Sequence, residues 1–230
     1  MYVIQLKNDM KDFAIIYDLD QTILPASAVP EEIFLPIYEA IRSANQGTVP
    51  NAELEKALKK IRTVSMDVIA KEHHFSEAMT EAAKQAFLNR EYEFSCSPFE
   101  DWPVVKRIPG KRFLVTSGIP KLQQAKFDAL FEEGDFDGIY VDNIYDENRL
   151  GKKKLFEKIA QEQGLIPEMI WIVGDNPDSE ITAGNELGMK TVQIVRPGIE
   201  QSDKASYLIC SFYELNDLVT KWEASLKFKA

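Results

Sequence analysis

Cysteine is scarce in this chain: Cys96 and Cys210 are the two in 230 residues. They are too few and too far apart for a zinc site or a disulfide framework, so reduced thiols are expected. Positive charge is also in deficit, with 27 Lys and Arg against 37 Asp and Glu and a formal charge of -10. That balance excludes nucleic-acid binding through a broad basic face, which needs cations to displace counterions. No run of about 18 apolar residues occurs, so no membrane-spanning helix is read. The opening "MYVIQLKNDMKD" carries charge within its first dozen residues and no apolar block after them, so no secretory signal is read and a cytoplasmic location is expected. The loops GxxxxGK[ST] and GxGxxG are missing, which removes nucleoside-triphosphate and dinucleotide cradles.

What is present is 45% hydrophobic, and it comes in short runs rich in Ile, Val, Phe and Tyr. "FAIIY" (13–17), "RFLVTS" (112–117), "DGIYV" (137–141), "MIWIVG" (169–174) and "KTVQIV" (190–195) suit parallel strands covered on both faces. Helical patterns near 120–133, 152–164 and 178–188 alternate with the later runs, which predicts an α/β fold with a doubly wound, Rossmann-like parallel sheet. Residues 25–100 break the rhythm. "VPEEIFLPIYEAIRSAN" sets Ile33, Phe34, Ile37, Tyr38 and Ile41 along one helical stripe behind Pro30. "NAELEKALKKI" follows with Asn51 placed as N-cap, then a shorter helix in "SMDVIAKEHHF" and a longer one in "SEAMTEAAKQAFLNREYEF". The expected organisation is a catalytic core, 1–24 and 101–230, carrying an inserted helical cap, 25–100.

Four polar clusters fall at carboxyl ends of predicted strands: "DLDQT" (18–22), "VTSG" (115–118), the lysines 152–154 after "NRLG", and "VGDNPDSE" (173–180). In an open parallel sheet those ends converge on one crevice. Aspartates gathered with a lysine and a hydroxyl suit Mg²⁺-assisted chemistry on phosphate, because Mg²⁺ takes hard oxygens such as those of Asp18 and Asp175 and shares itself with phosphate. A metal and a local lysine would also reverse, at one point, a field that otherwise repels phosphate. Asp18 is then a candidate nucleophile, and Asp20, past the strand end, a candidate acid and base. Gly174 is read as permitting a tight turn before Asp175.

With those motifs in place, the chain resembles the haloacid dehalogenase-like hydrolases. "DLDQT" matches that family's first motif, Thr116 its second, a lysine of 152–154 its third and "GDNPDSE" its fourth. The resemblance runs from about 13 to 195, and the inserted helices lie where that family carries a small helical cap. It implies a phosphoaspartate on Asp18, Asp20 as acid and base, and phosphate held by Thr116 and the Ser117 amide. It further implies a lysine bridging phosphate and nucleophile, and Mg²⁺ on Asp18, Asp175 and the Asp20 carbonyl. For the lysine, Lys152 fits best and Lys153 second; for the outer carboxylate supporting the metal, spacing favours Glu180 over Asp178.

Competing readings are weighed on the same residues. A calcium loop fails because its sixth position would be Ile23 and its twelfth Val29. Adjacent His73 and His74 point to different helix faces, against a shared metal, and Trp102 and Trp171 are read as packing. Within the resemblance, Asp20 disfavours dehalogenase and phosphonatase chemistry, while a phosphomutase stays open. A phospho-aspartate signalling receiver needs neither Asp20 nor a lid. The expectation is a Mg²⁺-dependent phosphatase for a small phosphorylated metabolite, whose substrate and oligomeric state the sequence does not name.

Overall fold

The computed structural model describes residues 12–227, so the sequence reading of the N-terminal stretch lies outside them. Six strands form one parallel sheet: β1 (Ala14–Tyr17), β2 (Lys111–Gly118), β3 (Gly138–Asn143), β4 (Ile170–Gly174), β5 (Lys190–Ile194) and β6 (Tyr207–Ile209). Their order is β3-β2-β1-β4-β5-β6, every neighbour parallel. The order reverses at β1, and such a switch point opens a crevice at the strands' carboxyl ends.

Helices cover both faces, which is why the strand runs are continuously apolar. In chain order they are α1 (Leu35–Ala44), α2 (Asn51–Lys60), α3 (Met66–Glu72), α4 (Glu77–Leu88), α5 (Trp102–Val105), α6 (Pro120–Leu130), α7 (Gly151–Gln163), α8 (Thr182–Glu186) and α9 (Phe212–Lys227). Ala14, Ile16, Phe113, Val115 and Ile172 turn toward Leu155, Phe156 and Ile159 of α7. The alternate residues Ile15, Tyr17, Leu114, Trp171 and Val173 join a second cluster with Trp102 of α5 and Phe212, Leu215 and Val219 of α9. Each such side chain, buried whole, stabilises the fold by about 1.5–3 kcal/mol. No helix among the described residues is long and apolar enough to cross a membrane.

Several sequence expectations shift. Asn51 is the first residue of α2 rather than its cap; Pro50 takes the cap position, its carbonyl accepting from the Glu53 and Leu54 amides at 2.9 Å. α4 is capped by Ser76 but stops at Leu88, short of 94. Beyond it Tyr92, Phe94 and Cys96 alternate with exposed Glu91, Glu93 and Ser95 as an extended strap, a period of two that cannot continue a helix. Residues 178–188 form a π-turn, Pro177–Ile181, and then the short α8. β6 and α9 lie past the last strand read from the sequence. His73 closes α3 with its Nδ1 2.9 Å from Glu53 Oε1, and His74 bends away at φ +53°. Both cysteines are free.

One buried ion pair ties the end of the insertion to the core. Arg196, just past β5, meets Asp101 through Nη1 at 2.8 Å and Nη2 at 2.9 Å, and its Nε and Nη2 donate to the Thr22 carbonyl at 3.2 and 3.0 Å. Asp101 also accepts from the Phe212 amide at 2.8 Å, so one carboxylate fixes the starts of α5 and α9. Both side chains are under a tenth exposed. Asp101→Ala would strand a buried guanidinium and should lower unfolding free energy by about 3–5 kcal/mol in urea titration. A loss below about 1 kcal/mol, the worth of a surface pair, would show that the network is not structural.

Candidate active site

Asp18 directly follows β1, and its amide extends the sheet by donating to the Val173 carbonyl at 2.9 Å. The chain then turns sharply. The Leu19 carbonyl accepts from the Ile23 and Leu24 amides at 2.8 and 2.9 Å, and Gln21 takes φ +58° with its Oε1 held by the Ala26 amide at 2.6 Å. This turn sets Asp20 beside the carboxyl end of β2, where its carboxylate meets α6. Across the switch point Asp175 follows β4, its carbonyl accepting from Gln193 Nε2 at 3.0 Å.

Of the three consecutive lysines, Lys152 enters the site. Its Nζ lies 2.8 Å from Asp18 Oδ1 and 2.8 Å from Glu180 Oε2. Lys153 is exposed and pairs with Glu186, and Lys154 is exposed. Of the two outer carboxylates, Glu180 is buried and its Oε1 accepts from the Asn176 amide at 2.7 Å, whereas Asp178 faces outward to Lys204. Gly174 matters for space rather than for a turn, since a Cβ there would sit 2.2 Å from Glu180 Cγ. Its missing side chain lets Glu180 pass over the end of β4.

Asp18, Asp175 and Glu180 can each present an oxygen within 4.8 Å of the others. Three carboxylates therefore crowd around one ammonium, and each like-charge pair at this range costs up to about 4 kcal/mol at intermediate dielectric. Burial, with Lys152 opposing and Glu180 adding, pushes the Asp18 carboxyl up to about 7. Burial, then Glu180 and Asp18, push Asp175 up to about 8. For Lys152 burial works against the charged form, but Asp18 and Glu180 overcome it and the ammonium is held well above its usual range.

Thr116 is buried in β2, its Oγ1 2.6 Å from Gln123 Nε2, and Ser117 follows at the crevice. The Ser117 hydroxyl donates to Asp142 Oδ2 at 2.8 Å. Asp142 also accepts from the Gly151 amide at 3.1 Å and from Arg149 at 2.7 and 2.9 Å, and Arg149 reaches on to Asp67 of α3. Burial alone would raise the Asp142 carboxyl, but the bonds from Arg149, Ser117 and Gly151 hold it below the usual range. One buried carboxylate thus sets Ser117, the start of α7 that carries Lys152, and a bridge to the inserted helices. The sequence reading missed it, along with Gln123 and Lys126. Its signal was slight: Leu122, Gln123, Lys126 and Phe127 share the buried stripe of α6, where a polar pair is out of place.

The carboxylates of Asp18, Asp20, Asp175 and Glu180, with Lys152, Thr116 and Ser117, line a cavity of about 430 Å³. Asp18, Asp20 and Lys152 line its core side, and Phe34, Arg62 and Met66 its other wall. Such an array can bind a phosphate-sized anion beside a hard cation, present a carboxylate nucleophile and hold a second carboxylate nearby.

The raised carboxyls make stability depend on pH when no cation is bound. A group whose pKa is higher in the folded state confers stability that is complete below its unfolded value and is lost as pH rises through the folded one. In chelator, Tm should therefore fall between about pH 4 and pH 8, the window set by Asp18 and Asp175. Asp175→Asn, neutral throughout, should flatten that fall; an unchanged slope would show that the carboxyls do not titrate there.

A family model for HAD-hydrolase-like proteins matches residues 150–218, which hold Lys152, Asp175 and Glu180. The chain is 28% identical over 226 residues to the enolase-phosphatase E1 of Aquifex aeolicus, covering 88% of this chain and 98% of that one. It is 27% identical to the enolase-phosphatase E1 of Persephonella marina, covering 80% and 88%. Among solved structures, a haloacid dehalogenase-like hydrolase of Streptococcus pneumoniae aligns with TM-score 0.64 at 16% identity, covering 90% of this chain and 98% of that one. A HAD phosphatase of Thermococcus onnurineus aligns with TM-score 0.56 at 21% identity, covering 90% and 97%. The six-stranded parallel sheet, the acidic crevice at its switch point and likenesses that run nearly the full length of both chains agree: the chain has the fold of the haloacid dehalogenase-like hydrolases and is similar to them in sequence.

Proposed function

We propose that the protein is a Mg²⁺-dependent phosphatase that hydrolyses a small phosphorylated metabolite through a phosphoaspartate on Asp18. The observation that carries this reading is Asp18 Oδ1 held 2.8 Å from the Lys152 ammonium, inside a three-carboxylate cluster that faces a cavity. Likeness along most of the chain to proteins named enolase-phosphatase supports it.

The donor set fits Mg²⁺: all three groups are hard carboxylates, and with Lys152 as their paired cation they are two positive charges short of neutral when ionised. Asp18 and Asp175 would hold the ion with the Asp20 carbonyl, and Glu180 would support it from outside, as its engagement with Lys152 and the Asn176 amide suggests. When bound, the ion would neutralise the crowded carboxylates and the phosphoryl oxygens. Lys152 orients the Asp18 carboxylate, and Thr116 with the Ser117 amide receives phosphoryl oxygens. Asp18 attacks phosphorus, the ester P–O bond breaks, and Asp20 gives its proton to the departing oxygen. Water then attacks phosphorus, losing a proton to Asp20 as the bond to Asp18 breaks.

Residues 25–100 would be the lid over a core of 1–24 and 101–230. Its wall of the cavity touches the part of a substrate that varies, while Thr116 and Lys152 touch the phosphoryl group common to all. A lid closing over this crevice would exclude water from the phosphoaspartate until the leaving group has departed.

Two measurements test this. EDTA should abolish hydrolysis of p-nitrophenyl phosphate and Mg²⁺ should restore it, and Asp18→Asn should lose both turnover and covalent phosphate. Full activity in EDTA would sink the proposal. For the lid, Thr63→Ala, Val64→Ala and Val68→Ala alter side chains that line the cavity without being buried. They should shift kcat/KM among phosphorylated metabolites by about 1–3 kcal/mol per contact, and change p-nitrophenyl phosphate turnover much less. A uniform loss on every ester would make the lid structural.

A further inference from the structure

Lys126 is buried to 6% exposure in a helix that the mechanism above does not use. Among the described residues its ion-pair partner is Asp20, whose two oxygens it meets at 2.7 and 2.9 Å. Gln123, one turn earlier on α6, points the same way. Its Nε2 lies 3.2 Å from Asp20 Oδ2, 2.6 Å from Thr116 Oγ1 and 3.4 Å from the Ser117 carbonyl. Two donors three residues apart share a helix face, so α6 offers Asp20 a rigid two-point clamp.

We infer that Lys126, assisted by Gln123, is a positioning residue that fixes the Asp20 carboxyl for both of its proton transfers and couples it to the phosphate-binding end of β2. The inference rests on the phosphatase reading. Asp20 sits on a tight turn with Gln21 in the left-handed region, and its side chain is a quarter exposed, so neither the backbone nor packing alone sets its rotamer. A carboxylic acid is useful only within hydrogen-bond reach of the ester oxygen, and a displacement of about 1 Å can cost roughly 100-fold. Burying an ammonium is costly, and pairing it with a carboxylate that is a quarter exposed offsets that cost only in part. Retaining Lys126 therefore points to orientation of Asp20 rather than to stability.

The test uses the full chain with Mg²⁺, two esters and two variants. Lys126→Met removes the charge and keeps the stem; Lys126→Gln keeps one donor and guards against a folding failure. In Lys126→Met, kcat on an alkyl phosphate, a poor leaving group, should fall about 10- to 100-fold with KM within about 2-fold of wild type. With p-nitrophenyl phosphate, whose leaving group needs little protonation, the pre-steady-state burst of p-nitrophenol should keep its rate. Its second phase should slow, because water attack still needs Asp20 as base, so phosphoenzyme accumulates. Tm should change little, because Asp20 is a quarter exposed and water can solvate it once unpaired, and the kinetics of Lys126→Gln should lie between those of the two proteins. Wild-type kinetics in both variants would overturn the inference, and so would a burst rate that drops by the same factor as alkyl turnover together with a lower Tm, the mark of a structural role. A wild-type protein that releases no p-nitrophenol and traps no phosphate overturns the phosphatase reading and this inference with it.

Discussion

The crowding of Asp18, Asp175 and Glu180 around the single ammonium of Lys152 is the constraint on which the rest of the molecule depends. Without structure to force it, like charges at this range would separate into water. They are held because each is attached to a rigid element: Asp18 to β1, Asp175 to β4, Glu180 to the π-turn and Lys152 to the first turn of α7. The sheet places the elements with backbone hydrogen bonds that do not respond to charge, and it is stabilised by apolar faces far from the site. The electrostatic penalty is then a local one, offset by burial elsewhere rather than relieved by movement.

Two carboxylates show how environment divides labour. Asp18 is desolvated beside other acids, and its proton affinity rises. Asp142 is as deeply buried but receives Ser117, Gly151 and the Arg149 guanidinium, and its proton affinity falls. The first is left unsatisfied in a way that a hard cation would relieve; the second is satisfied entirely by protein. That contrast separates a group poised to bind something from one that organises its neighbours. Through Asp142 the position of Ser117, the start of α7 and the Arg149 link to Asp67 are coupled, so a shift of α3 has a direct route to the carboxyl end of β2.

The parallel sheet was legible because its strands are covered on both faces, which leaves continuous apolar runs ending in clustered polar residues. Asp18, Thr116 and Asp175 were legible as positions for the same reason, since each follows or lies at the end of such a run, whereas Lys152, in the first turn of α7, was singled out through the family resemblance. β6 was not: three residues at a sheet edge, two of them exposed, make no such run. α9 did carry a signal, the spacing of Phe212, Leu215, Val219 and Trp222, without a strand beside it to anchor the pattern. Lys126 and Asp142 were illegible for a different reason. Their importance lies in contacts across 106 residues to Asp20 and 25 to Ser117, and the polar pair on the buried stripe of α6 is only a slight local sign of it. Gly174 was noticed for the wrong property, because its role depends on the path of a glutamate six residues later.

The placement of Arg196 shows how the two chain segments that flank α1–α4 are held together beside the Asp18–Asp20 turn. The chain leaves the core at Thr22 to Leu24 and returns at Phe99 to Asp101, and the Phe99 amide donates to the Ile23 carbonyl at 2.9 Å. Arg196 spans both strands of that neck, bonded to the Thr22 carbonyl and the Asp101 carboxylate, with its guanidinium 4.1 Å from the Phe99 ring centroid. A change in α1–α4 that is carried along the chain must therefore pass through a neck that a buried charge pair holds fixed. Asp20 lies on the catalytic side of this neck, two residues before Thr22. A movement of the helices carried through this neck reaches the Asp18–Asp20 turn only after distorting the buried Arg196 network, whereas the Asp67–Arg149 bridge on the far side is a third exposed and more open to water. Asp18 and Asp20 thus stand on the sheet side of a fixed neck, which is the mechanical condition that the proposed lid would require.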